Sequence, residues 1–332
     1  MKAVYIERGG SADVLATGTL PDARLTRDDQ VLVRLKAAGI NPIDAKIRSA
    51  PERFPVTFPH IPGCDGAGVV EAVGAAVTNC SPGDEVWFSQ PGFLGRQGTY
   101  AEWVAVDAAL IAHKPSTLSF AHAAAAPLVL ITAWEALHDR ARLRSGQRIL
   151  IPAGAGGVGH VAVQLARLAG AHVATTVSGD GKAAFARTLG AELIIDYRRQ
   201  DTVAAIRDWT DGDGVDVVLD TVGGDTLDAA VACVKPYADL VTLLQPSDTF
   251  PWGDARKRNL RFAFELMLSP VLLGLETAKR HQADILRDCA MLFDEGKLRI
   301  SVAAQYPLSE AAAAHRQLEQ DHPIGKLVLD ID

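Results

Sequence analysis

Short apolar runs broken by turn residues fill the first third of the chain. Lys2–Ile6, Val31–Ala38, Gly68–Val73, Glu85–Phe88 and Tyr100–Val106 alternate with breakers such as Ser81-Pro82-Gly83-Asp84 and Gln90-Pro91-Gly92. Runs of this length bounded by Pro, Gly and Asp predict strands joined by tight turns, hence a compact, barrel-like β-rich unit. From about Ser119 the period changes. Ser119–His138 is alanine-rich with helical spacing, and strand and helix patterns then alternate. The predicted strands are Arg148–Ala153, His172–Val177, Leu193–Asp196, Val215–Asp220, Asp239–Leu244 and Leu260–Phe264. The predicted helices between and after them are Val158–Ala169, Lys182–Leu189, Thr202–Trp209, Asp225–Val234 and Leu272–Glu295. Such alternation predicts a parallel sheet covered on both faces, because each parallel crossover needs a helix. Beyond Lys297 short strands return (Ile300–Ala303, Lys326–Leu329) around one helix, Leu308–Leu318. That segment is too small to stand alone, and we expect it to fold back onto the first unit.

The first turn of the parallel sheet carries the chemistry. Gly154-Ala155-Gly156-Gly157-Val158-Gly159 fits G-x-G-x-x-G between a strand and a helix. Glycines there permit the tight turn and let backbone N–H groups approach a pyrophosphate at the helix start. NAD sites place an Asp or Glu about 20 residues on, at the end of the second strand, for the ribose 2′-hydroxyl. Here Ser178 stands at that point, followed by Gly179 and then Lys182, while Tyr197 closes the third strand. A hydroxyl and an ammonium in place of a carboxylate suit a 2′-phosphate, so NADPH is expected. Asp180 is the opposing feature. The turns that end the fourth and fifth strands, Asp220–Gly224 and Leu243-Leu244-Gln245, are further candidate cofactor contacts, since ligands gather at the carboxyl ends of such strands.

Composition narrows the class. The chain has 332 residues, enough for two domains, and a net charge of −7, which disfavours nucleic acid or an anionic membrane as the main partner. Met1–Glu7 lacks a secretory apolar core, and the four scattered cysteines form no CxxC pair. A reducing compartment, the cytoplasm by default, is expected.

Taken together, the chain resembles the medium-chain dehydrogenase/reductase superfamily, in its zinc-free NADPH:quinone oxidoreductase branch. Ala38–Asp44, Gly66–Glu71, Gly83–Val86, Gly98–Glu102, Leu130–Trp134, the glycine cluster and Gly325–Val328 carry the likeness over nearly the whole length. The resemblance implies an α/β protein: a GroES-like β-rich domain (1–121 with 298–332) around a Rossmann doubly wound parallel-sheet domain (122–297). Zinc members carry a cysteine where this chain has Asn41 and Gly-His-Glu where it has Gly63-Cys64-Asp65. Their third ligand would fall near Pro127–Leu130, which offers none. No metal is therefore expected, since a catalytic zinc needs three protein ligands.

The resemblance assigns Asn41 to the nicotinamide and substrate cleft, with Asp44 supporting it. It also assigns Thr132, Gly154, Gly156, Gly157, Val158, Gly159, Ser178, Lys182, Tyr197, Leu243, Gln245 and Lys326 to the cofactor. The implied reaction is metal-free hydride transfer from NADPH to a quinone. The alternatives are an enone or alkenal reductase, or a nucleotide-binding protein with little turnover. Homodimerisation through Leu260–Met267 is implied in the same way.

Overall fold

A computed structural model describes all 332 residues. Residue contacts divide them into two compact units, Met1–Leu128 with Leu268–Asp332, and Val129–Met267.

In the first unit the long strand Gln30–Ile40 is the hub. It pairs antiparallel with Asp65–Val73, with Trp103–Asp107 and with the tail strand Lys326–Asp330, which in turn pairs parallel with Val302–Pro307. Register decides what meets at its end. Gly39 lies opposite Asp65 and Ile40 opposite Leu327, so the residues that follow or flank those pairs converge. The helix Pro42–Ser49 starts there with Asn41 as its cap and Pro42 at its first position, where a missing N–H costs nothing. Sequence periodicity did not predict this helix, nor the short strands Ala16–Thr19 and Ile111–His113.

The second unit holds six parallel strands in the order Leu193–Asp196, His172–Val177, Arg148–Ile151, Val215–Asp220, Val234–Thr242, Arg261–Phe264. This is the doubly wound order 3-2-1-4-5-6, with its switch point beside Arg148–Ile151. Each predicted strand is present, although the fifth starts earlier, at Val234.

The expected boundaries at 121/122 and 297/298 differ from those the contacts draw. The helix Glu276–Asp294 groups with the first unit because it packs on Ala108–Leu110 and Ile111–His113. Lys279 Nζ lies 2.9 Å from the buried Asp107 carboxylate, and Phe293 meets Trp87 edge-on at 6.0 Å. That helix begins at Glu276 rather than Leu272, after Gly274 at φ 66°. The Ser119–His138 segment is three pieces: Phe120–Ala124, Pro127–Trp134 and a π-helical turn Glu135–Arg140. Pro127, lacking an N–H, cannot continue the first piece. No helix is long and apolar enough to cross a membrane.

Candidate active site

In the first unit, Asn41, Asp44, Asp65, Tyr100, His315 and Lys326 form one buried polar cluster, none of them more than 4% exposed. Lys326 donates from Nζ to the Ile40 carbonyl at 2.7 Å and to Asn41 Oδ1. Asn41 Nδ2 donates to Asp65 Oδ2 at 2.9 Å, and its backbone N–H donates to Asp44 Oδ2 at 2.8 Å. Asp65 Oδ1 accepts the Leu128 N–H at 3.0 Å. Tyr100 donates its hydroxyl to Asp44 Oδ2 at 3.2 Å and lies 3.0 Å from His315 Nε2. An ammonium can only donate and a carboxylate accepts, so the Asn41 amide has one orientation, oxygen toward Lys326 and nitrogen toward Asp65.

Burial sets the charges. It raises Asp44 to about 7, opposed by the Asn41 N–H and the neighbouring Cys64 thiol and reinforced by Asp65. It raises Asp65 to about 6 against the pull of Lys326 and Asn41. Burial likewise pushes the Cys64 thiol and the Tyr100 hydroxyl up and Lys326 down. His315 falls to about 3 through burial and the nearby Arg48 cation. Two carboxyls beside one ammonium are neutral together when one carboxyl keeps its proton, which is the form a dry core favours.

Lys326, expected at the cofactor, directs its ammonium to Ile40 and Asn41. Asn41 and Asp44, expected at the cleft, are fully buried and bonded within the cluster. No group of three or more His, Cys, Asp or Glu side chains is arranged to hold an ion.

In the second unit, the helix Gly157–Leu168 opens with Gly156 as its cap, and no side chain caps its first amides. A Cβ on Gly159 would stand 2.2 Å from the Ala153 carbonyl, and one on Gly154 2.1 Å from Thr175 Oγ1. Thr175 Oγ1 donates to the Ile151 carbonyl at 2.6 Å and Thr176 Oγ1 accepts the Ala153 N–H at 3.2 Å, fixing the strand end. Uncapped amides in a cradle that only glycine fits suit a pyrophosphate. Thr221 Oγ1 donates to the Pro152 carbonyl at 2.8 Å, and Asp220 accepts from Gly223 N and from Thr242 Oγ1. These bonds hold the turns after the fourth and fifth strands beside the glycine loop, with Leu243 half-buried and Gln245 exposed. Thr132 is buried in the helix Pro127–Trp134.

Parallel pairing of Asp196 with Val177 sets Ser178 next to Tyr197, whose N–H donates to the Val177 carbonyl at 3.2 Å. Ser178 and Lys182 are half-buried and Tyr197 is exposed. Sequence reading missed Arg199, two residues beyond Tyr197. Its Nη1 lies 2.9 Å from Asp180 Oδ1 and its Nε 3.4 Å from Asp196 Oδ2. The missed signal was a cationic pair, Arg198-Arg199, at the end of the third strand.

Residues 27–116 match the family model of the alcohol dehydrogenase GroES-like domain, and residues 189–329 that of zinc-binding dehydrogenases. The chain is 34% identical to the chloroplastic NADPH-dependent alkenal/one oxidoreductase of Arabidopsis thaliana, over 99% of this chain and 79% of that protein. The chain belongs to the medium-chain dehydrogenase/reductase superfamily. Within that superfamily it falls in the quinone-oxidoreductase-like branch. The Escherichia coli quinone oxidoreductase complexed with NADPH superposes with a TM-score of 0.88 at 28% identity, over the whole of both chains. The Mycobacterium tuberculosis phthioceranic/hydroxyphthioceranic acid synthase is 36% identical over 91% of this chain, which spans only 14% of that much longer protein. The chain thus combines a GroES-like unit and a Rossmann-type unit, as members of this superfamily do.

Proposed function

We propose that the protein is an NADPH-dependent reductase that delivers hydride to quinones without a metal. The observation that carries this reading is an uncapped glycine-rich helix start together with Ser178 past the second strand, Lys182 in the next helix and Tyr197 past the third strand, in place of an unopposed carboxylate. The amides of Gly157, Val158 and Gly159 would take the pyrophosphate, and Ser178, Lys182 and Tyr197 the 2′-phosphate. Thr132, Leu243 and Gln245 are proposed as further cofactor contacts. A bound nicotinamide supplies the hydride. The chain's own contribution is orientation and exclusion of water. Lys326 and Asp65 hold the Asn41 amide, and Asp44 holds the backbone where the helix Pro42–Ser49 begins. Without a Lewis acid to acidify a hydroxyl, alcohol oxidation is disfavoured. An acceptor that is already electrophilic suits this arrangement.

A conjugated enone is the second reading, favoured by the likeness to the alkenal/one oxidoreductase. We further propose a cytoplasmic homodimer joined through the edge strand Arg261–Phe264.

Steady-state NADPH oxidation with 1,4-naphthoquinone, with a simple enone and with a primary alcohol plus NADP⁺ tests the assignment. Turnover of the quinone at least tenfold above the enone is expected, with none of the alcohol. Activity confined to the enone replaces the first reading with the second. Tight NADPH binding with no turnover leaves a nucleotide-binding protein.

A further inference from the structure

Asp180 follows two residues after Ser178, the point where NAD sites read ribose, in the first turn of the helix Asp180–Thr188. An unopposed carboxylate there repels a 2′-phosphate and accepts a 2′-hydroxyl. The structure does not leave it unopposed. The Arg199 guanidinium bridges Asp180 and Asp196, reaching from the end of the third strand to the start of that helix. Asp196 is further occupied by the Arg198 N–H at 3.1 Å. Lys182 stands near the start of the same helix.

We propose that Arg199 is a specificity-determining residue: by neutralising Asp180 it converts a pocket with an NAD-type acid into one that prefers a 2′-phosphorylated dinucleotide. The inference rests on the NADPH reading above and names the residue that makes Asp180 compatible with it. The exposed pair adds little to stability, as exposed ion pairs generally do. Its effect is on the local field, where a dianionic ligand feels each unit charge. A unit charge about 6 Å from a phosphate dianion under water-like screening changes affinity about tenfold. Removing Arg199 also exposes the Asp180 carboxylate, so the loss has two parts, and only one of them returns when Asp180 is neutralised as well.

The test is calorimetric binding of adenosine 2′,5′-bisphosphate and of 5′-AMP at low ionic strength, which needs no turnover. The wild type is expected to prefer the bisphosphate. Arg199→Ala is expected to weaken the bisphosphate about tenfold or more while moving 5′-AMP less than threefold. Asp180→Asn in the Arg199→Ala background is expected to recover at least half of that loss on a logarithmic scale. Arg199→Lys, which keeps the charge, should stay within about threefold of wild type. The Arg199→Ala penalty should also shrink at 0.5 M salt. A wild type without preference for the bisphosphate overturns the NADPH reading itself. A preference that survives Arg199→Ala overturns only the role of Arg199. A loss that Asp180→Asn does not relieve overturns neutralisation and leaves Arg199 as a direct phosphate contact. Circular dichroism melts of each variant separate these results from unfolding.

Discussion

Asp44 shows what burial does to a single carboxyl. Its value is raised to about 7 mainly by the loss of water around it, so between its unfolded value and pH 7 the folded chain holds a proton that the unfolded chain has released. Stability from this group is therefore greatest in acid, declines as pH rises from the unfolded value toward 7, and levels off above that. His60 and His315, lowered by burial to about 4 and about 3, act in the opposite sense, destabilising the fold as pH falls below 6.5. A melting curve of the wild type alone mixes these effects. The difference between Asp44→Asn and wild type isolates one of them. Because Asn resembles the protonated acid, the variant's melting temperature relative to wild type should rise between pH 5 and pH 8.5. A flat difference would mean that Asp44 titrates normally. The residues of this cluster were only partly legible in the sequence. Asn41, Asp44 and Lys326 were singled out, yet Tyr100 and His315 were not. Hydrogen bonds across 285 positions, as between Lys326 and Asn41, leave no local period to read.

At the scale of elements, the strand–loop–helix around Gly154–Gly159 was legible because its signal is local: an apolar run, a glycine spacing, then a 3.6-residue period. The helix Thr202–Trp209 matched to the residue, because Asp201 caps it by accepting the Ala204 N–H at 2.7 Å. Pro42–Ser49, of the same length, went unseen because it directly follows the strand Gln30–Ile40 and its Asn41-Pro42 start reads as a turn. The glycine loop also gives a sharp expectation. With the Ala153 carbonyl 2.2 Å from where a Cβ would sit, Gly159→Ala must push the helix off the strand. Overpacking of this kind costs about 1–3 kcal/mol. A lowered melting temperature together with at least tenfold weaker NADPH binding is the expected result. Gly181→Ala, whose added methyl would meet nothing within 4 Å, should leave stability nearly unchanged.

For the whole molecule, the alternation of β-rich and α/β texture was enough to foresee two units and a tail that returns to the first. The boundary at the long helix was not, since Glu276–Asp294 reads as one more covering helix until Lys279 is seen bound to Asp107. The proposed dimer belongs to this scale. Arg261–Phe264 ends the six-stranded sheet with one side unpaired, and Phe264 and Leu266 are about half exposed; a bare apolar edge invites pairing. Sedimentation equilibrium is expected to give about twice the 35.3 kDa chain mass, and Phe264→Glu to shift it toward one. A wild-type protein that stays at one chain mass at micromolar concentration removes the dimer.

The tail strand Lys326–Asp330 carries a further consequence, in the order of events during synthesis. Val129–Met267 is continuous and can complete its sheet while translation continues. The hub strand Gln30–Ile40, made far earlier, must wait for residues 326–330 to leave the ribosome before its last antiparallel neighbour arrives. Until then Asn41 has its carboxylate partner but no cation. A cation made 285 positions after Asn41 thus completes a cluster whose amide and two carboxyls were made far earlier.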